Sequence, residues 1–299
     1  MAIDKKTLSE ADIRTKYITP AIEQAGWDKM SQTREEYSIT AGRIIARGQV
    51  CKREKPLKAD YVLFYKPNKP IAIVEAKDNN HSMSDGMQQA LNYAQMMNVP
   101  FVFSSNGDGF VFHNRYIQEG ERETVLPLDG FPSPETLWEM YVEQNCIGPA
   151  QSKIIDEPYY VDNPNKQPRY YQINAINRTV EAIAAGQDRV LLVMATGTGK
   201  TRTVLGMIYR FLKTERFRRI LFLVDRTALG EQAQDVFEEV KMEDLLTLDD
   251  IYNIKGLEDK TIDKETRIHI STVQGMVKRI MYNDGETMPA VSDYDLLII

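Results

Sequence analysis

Apolar positions recur along this chain with two different periods, and each change of period marks a new element. From Glu10 onward, Ile13, Tyr17, Ala21 and Ala25 fall on one face of a helix, with Ser9 placed to cap it and Gly26 to stop it. Pro20 sits inside that pattern and has no N–H to donate, so the helix is expected to kink or divide there. Two β-favouring runs follow at 61–65 and 70–76, then a helical pattern from Ser84 to Met97, then the strand-like stretches "VPFVFSS" and "GFVFHN". This succession reads as an α+β unit.

A seam follows at 154–172, "IIDEPYYVDNPNKQPRYYQ", where prolines, Asn and Asp break both periods, and residues 154–168 read as a linker. Beyond it a helix from Gln172 to Ala185 ends at Gly186, and "RVLLVM" reads as a strand leading through a glycine-rich turn into the helical "KTRTVLGMIYRFLKT". Then come "ILFLV", the helical "ALGEQAQDVFEEV", "IHIST" and "YDLLII". Short apolar strands alternating with amphipathic helices indicate a parallel α/β sheet with right-handed crossovers. The division is therefore 1–153, a linker at 154–168, and 169–299.

Composition adds exclusions. The 299 residues are 42% apolar, enough for two cores, and the formal net charge of −6 argues against a polybasic coat. Cys51 and Cys146 have no metal-ligand spacing, and no apolar run is long enough for a bilayer, so the expectation is a cytoplasmic protein without a membrane partner, a zinc module or a disulfide framework.

The chemistry starts at "KADYVLFYKPNKPIAIVEAK", two apolar runs about a turn. Folding it brings Asp60 opposite the end that carries Glu75 and Lys77, which share a face because they lie two apart. Whether Asp60 joins that face depends on a one-residue register that the sequence leaves open. If it does, two carboxylates and an ammonium converge, a set suited to Mg²⁺ with water and a phosphate, with the lysine assisting an attacking water. Four residues apart, Gln89 and Tyr93 point from one helix face to a common place.

These residues resemble the PD-(D/E)XK nucleases, with Asp60 as the aspartate and Glu75-Ala76-Lys77 as the E-x-K; "GMQQALNYAQ" resembles the Q-x-x-x-Y motif that accompanies this nuclease in restriction motor subunits. The resemblance implies that Asp60 and Glu75 bind Mg²⁺, that Lys77 assists attack, and that Gln89 and Tyr93 organise the site. Glu10 resembles a glutamate that such nucleases place near the metal, although helix dipoles also favour acids at that position. The basic residues Arg43, Arg47, Lys52, Arg53, Lys55 and Lys58, with the single acid Glu54, run into Asp60 and are either DNA-phosphate contacts or a solvated loop.

"MATGTGKT" at 194–201, between a strand and a helix, is the setting for a phosphate-cradling loop. Thr196, Gly197, Thr198 and Gly199 would supply the cradle, Lys200 would reach the phosphates, and Thr201 would help to hold Mg²⁺. Met194 replaces the first glycine of the strict motif, a departure found in superfamily 2 helicases. Arg169 and Gln172 look like the adenine-reading Q motif of that superfamily, and "LFLVDRTALGEQ" and "ISTVQG" resemble its motifs Ia and Ib. The chain stops at "DYDLLII", before any D-E-x-H box, so this piece is expected to bind ATP without efficient hydrolysis.

Together the motifs resemble the restriction (R, motor) subunit of type I restriction-modification enzymes. That implies an α/β protein made of a restriction-endonuclease-like α+β domain followed by a RecA-like domain, using Mg²⁺ and ATP on double-stranded DNA, with methylation and specificity subunits as partners. Alternatives are a type III or repair helicase with an accessory nuclease, and a nucleotide-dependent docking module that does not cut. His81, His113 and His269 are scattered and receive no role.

Overall fold

A computed structural model describes residues 4–40, 44–47, 50–53, 55–159, 167–259, 261–282 and 290–299. They divide into two compact units, Met1–Ser152 with Arg169–Asn174, and Lys153–Pro168 with Ala175–Ile299.

The first unit begins with α1 (Glu10–Ile13), a π-helical turn (Arg14–Ile18) and α2 (Thr19–Gln24). Ser9 caps α1 by accepting the Asp12 N–H, with the Asp12 carboxylate returning to Ser9. Pro20 was expected to kink or divide this helix. Its missing donor is accommodated by the wide turn, in which the Thr19 N–H reaches back to the Arg14 carbonyl.

Next come β1 (Thr33–Thr40), β2 (Ile44–Arg47), β3 (Val50–Arg53), β4 (Leu57–Lys66) and β5 (Lys69–Ala76). They are followed by α3 (Met87–Met97), β6 (Phe101–Ser105), β7 (Gly109–Asn114), β8 (Glu123–Pro127), α4 (Pro134–Gln144) and α5 (Pro149–Ile155). Six strands form one sheet in the order β1-β4-β5-β6-β7-β8, while β2 and β3 pair separately. All neighbours in the large sheet are antiparallel except β5 and β6, whose parallel pairing is bridged by α3. Every residue of β5 is buried, which explains its unbroken apolar run. Val62, Phe64, Ile73 and Val102 pack with Met87, Ala90, Ala94 and Met97 of α3. Tyr61, Leu63, Val74 and Phe103 alternate with that set and are also buried, so both sheet faces are covered.

The second unit contains most of α6 (Tyr170–Ala184), then α7 (Lys200–Lys213), β9 (Ile220–Val224), α8 (Thr227–Glu239), β10 (Lys241–Glu243) and β11 (Leu246–Thr247). It ends with α9 (Leu248–Ile251), β12 (Asn253–Lys255), β13 (Thr266–Thr272), α10 (Val273–Met281) and β14 (Leu296–Ile298). Its main sheet has the order β12-β13-β9-β14 and is parallel throughout.

Two expectations need correction here. "RVLLVM" forms no strand, and Leu191 and Val193 are 85% and 89% exposed. An apolar run becomes a strand only where its backbone meets a ladder partner, and among the described residues β14 pairs with β9 alone. Residues 154–168 do not begin as a linker: Ile154 and Ile155 close α5 and are buried, and Tyr159 packs against Gly206. The buried Arg210 of α7 donates to the Ile154 and Ile155 carbonyls at 3.0 and 2.6 Å, satisfying the end of α5. Residues 160–166 lie outside the described set. Among the described residues no helix is long and apolar enough to cross a membrane.

Candidate functional site

The open register is resolved by the β4–β5 hairpin. Pro67 and Asn68 make its turn, with Asn68 in the left-handed region (φ 63°) that asparagine tolerates. Tyr61 pairs with Val74 and Val62 with Ile73, so one step further Asp60 stands across from Glu75. The Asp60 carboxylate accepts the Ala76 N–H at 2.8 Å, fixing it at this strand end. The Lys77 ammonium lies 3.7 Å from Glu75 and 3.9 Å from Glu10. The structure thus gathers Glu10, Asp60, Glu75 and Lys77.

α3 completes the group. Gln89 donates to the Glu75 carboxylate and lies 3.2 Å from the Tyr93 hydroxyl, as their four-residue spacing requires. The helix approaches so closely because its N-cap is Gly86: a Cβ there would stand 2.8 Å from Ser104 Oγ and 3.2 Å from Glu75 Cγ. Ser104, paired with Glu75 on β6, is fully buried and its hydroxyl has no hydrogen-bond partner.

Electrostatically, Glu75 is the unusual member. It is 2% exposed, and burial together with the facing Asp60 pushes its pKa up to about 8, against the pull of Lys77. Burial also raises Glu10, with Lys77 opposing. One Glu75 oxygen, Oε2, is buried without a hydrogen-bond partner, which costs roughly 1–3 kcal/mol or more. A buried, unpaired carboxylate oxygen facing a second carboxylate is the donor set a hard divalent cation takes. Among the described residues no three His, Cys, Asp or Glu side chains gather as a complete metal cage.

In the second unit, Gly197 and Gly199 adopt φ of 77° and 83°, conformations that open the loop before α7. Gly199 is the N-cap of α7, so Lys200 and Thr201 start the helix with N–H groups free of intrahelical partners. The Lys200 ammonium crosses the loop to the Met194 carbonyl at 3.3 Å, and Thr198 bonds the Ala195 carbonyl at 2.6 Å. Arg169 and Gln172 group with the first unit, where the Gln172 side-chain oxygen accepts the Arg169 N–H at 2.8 Å. Motif Ia becomes the end of β9 and the start of α8, with Asp225 and Arg226 exposed. In motif Ib, Thr272 caps α10. Of the basic run, Lys55 and Lys58 are exposed, while Arg43, Glu54 and the side chains of Arg47, Lys52 and Arg53 lie outside the described residues.

Sequence reasoning missed Arg14, whose guanidinium lies 3.3 Å from Asp60, and the close fit of Gly86 and Ser104 behind Glu75. Arg14 stands four residues after Glu10, a spacing that places it over the same strand end. The other two carry no sequence signal, because their proximity depends on how α3 docks.

Comparison with known proteins follows the same division. Residues 9–132 match the family described as type I restriction enzyme R protein N terminus, and residues 165–299 match type III restriction enzyme, res subunit. The EcoAI endonuclease subunit of Escherichia coli, a type I restriction enzyme protein, is 47% identical over 78% of this chain. The corresponding EcoKI subunit of E. coli K12 is 32% identical over 99% of it. The chain spans 29% of the length of each. A solved fragment of an HsdR subunit of a type I restriction enzyme from Vibrio vulnificus is 30% identical, with TM-score 0.69, over 91% of this chain and 48% of that one.

Proposed function

This chain belongs with the R subunits of type I restriction enzymes, and from that premise we propose that its first unit cleaves double-stranded DNA and its second binds the ATP that drives translocation along it. The observation that carries the nuclease reading is the buried, half-unpaired Glu75 carboxylate across from Asp60 with Lys77 alongside.

Asp60 and Glu75 would hold Mg²⁺, which when bound supplies charge to a phosphodiester and lowers the pKa of water. Lys77, held between Glu75 and Glu10, would orient the attacking water and oppose negative charge developing on phosphorus oxygens. Gln89 steadies the Glu75 carboxylate from one side, leaving Oε2 for the cation. Tyr93 receives the other end of that bond network.

The opening before α7 suits a nucleotide's phosphates: Lys200, now on the Met194 carbonyl, would hold phosphate oxygens, Thr201 would help to hold Mg²⁺, and the helix N-terminus would face the charge. Thr196, Gly197, Thr198 and Gly199 supply the backbone cradle, with Arg169 and Gln172 as candidate adenine readers. Methylation and specificity subunits are the proposed partners, and the cytoplasm the proposed location.

Plasmid cleavage with Mg²⁺ and ATP by the full-length subunit, reconstituted with those partners, tests the reading. Glu75→Ala should consume ATP and leave the plasmid intact; cleavage equal to wild type would make the hairpin structural.

A further inference from the structure

The arrangement above leaves one strongly held cation without a task. Arg14 projects from the π-helical turn, is 12% exposed, and donates from one terminal nitrogen to both Glu36 and Asp60, the latter at 3.3 Å. Its other terminal nitrogen lies 3.5 Å from the Asp60 carbonyl and 3.9 Å from Glu35. The guanidinium also lies over the Tyr61 ring, 5.1 Å from its centroid, and that phenol is fixed by Thr19 at 2.9 Å. A surface ion pair has none of this bracing.

Glu36 is the second observation. It sits inside β1 with φ of 51°, left-handed backbone that an ordinary residue avoids by about 1–2 kcal/mol. Glu35 pairs with Tyr61 and Tyr37 with Ala59, so Glu36 faces Asp60 across the strands. Strained backbone of this kind persists where surrounding contacts enforce it, and the contact here is the Arg14 bond. A wide helical turn and a left-handed strand residue, from separate parts of the chain, therefore meet at one terminal nitrogen of Arg14, and that nitrogen also reaches Asp60.

We propose that Arg14 is a positioning residue for the metal ligand Asp60. Its guanidinium fork, braced by Glu36 and Tyr61, holds the Asp60 carboxylate on the Glu75 side of the strand end, with the Ala76 N–H fixing the other oxygen. Geometry rather than charge is the requirement, because a lysine keeps the charge but its single nitrogen cannot reach the Asp60 carboxylate and carbonyl from two points while a planar group lies over the Tyr61 ring. The inference rests on the nuclease reading and extends it to a residue outside the motif.

The test is Mn²⁺ binding, followed by paramagnetic resonance on the full-length subunit without nucleotide, beside the Mg²⁺ dependence of plasmid cleavage by the assembled enzyme. Arg14→Lys and Arg14→Gln should each weaken Mn²⁺ by about ten- to a hundredfold. The Mg²⁺ needed for half-maximal cleavage should rise by the same factor, while the rate at saturating Mg²⁺ stays near wild type. Wild-type affinity in Arg14→Lys overturns the geometric requirement, and wild-type affinity with lowered thermal stability in both variants makes Arg14 a brace of the fold only. Should neither fold, Glu36→Gln, which leaves Arg14 on Asp60, should show a smaller weakening in the same direction, and unchanged affinity there overturns the proposal. If Glu75→Ala keeps both Mn²⁺ binding and cleavage, the nuclease reading itself fails. If Glu75→Ala is inactive while the Arg14 variants bind and cut like wild type, only the role of Arg14 fails.

Discussion

In the first unit Glu75 is buried at the strand end with Lys77 and Asp60 beside it, whereas in the second the glycine loop before α7 lies open with its lysine folded onto its own backbone. The Asp60–Glu75 centre stores its cost in the folded protein: Glu75 is desolvated, one oxygen is unpaired, and a helix is pressed against it. The loop stores little, since glycine conformations shape it and a ligand would complete its hydrogen bonds. Changes at the first centre should therefore move stability and chemistry together. Changes at the second should move binding while stability barely responds.

The largest expected effects pull the two centres apart. Lys77→Ala should lower plasmid cleavage by on the order of a hundred- to a thousandfold with DNA binding largely retained, measured by cleavage beside a binding assay. In the full-length subunit assembled with its partners, Lys200→Ala should abolish ATP consumption, measured by phosphate release, and leave Mn²⁺ binding at the Asp60–Glu75 centre unchanged. A docking module that does not cut predicts no effect of Lys77→Ala.

The next pair compares backbone with packing. Gly86→Ala forces a Cβ against Ser104 and Glu75 and should cost about 1–3 kcal/mol in denaturant unfolding, with weakened Mn²⁺ binding. At Gly197 a Cβ would meet nothing within 4 Å, so Gly197→Ala carries only the strain of its φ, about 1–2 kcal/mol locally. It should appear in nucleotide affinity.

A smaller effect has opposite signs in the two units. Glu75, raised to about 8, binds its proton more tightly when folded, so its contribution is fully present below the unfolded pKa near 4.5 and is lost as pH rises through 8. His269 is buried and depressed to about 4, chiefly by burial and by Arg279, so it costs stability as pH falls from 6.5 through 4. Both tryptophans, Trp27 and Trp138, lie in the first unit, so their fluorescence in denaturant reports that unit alone. It should show stability falling from pH 5 to 8 without divalent cation, a slope that Glu75→Gln reduces. Amide exchange along β13 should show the second unit's loss on the acid side.

Much of this was legible from residues alone, and where reading failed the cause was contact at a distance. Two apolar runs at 61–65 and 70–76 about a turn gave the hairpin, and four-residue spacing put Gln89 and Tyr93 on one face. The register of Asp60 was open because it depends on a turn of two residues rather than three, fixed by Pro67 and Asn68. "RVLLVM" misled because hydrophobicity states a preference for burial but names no ladder partner. Residues 154 and 155 looked like linker because nothing local announces that Arg210, far along the chain, will cap their carbonyls.

The β5–α3–β6 crossover has a consequence for the order of folding. Asp60, Glu75, Lys77, Gln89 and Tyr93 lie on one uninterrupted hairpin-and-helix segment, whose contacts close short loops. The Arg14–Asp60 bond spans 46 residues and joins that segment to a distant helix. Loops of low sequence separation are the cheaper ones to close, so this segment should assemble early and the arginine should dock onto it late. Replacing Arg14 would then hasten unfolding while leaving the refolding rate of the first unit nearly as it was.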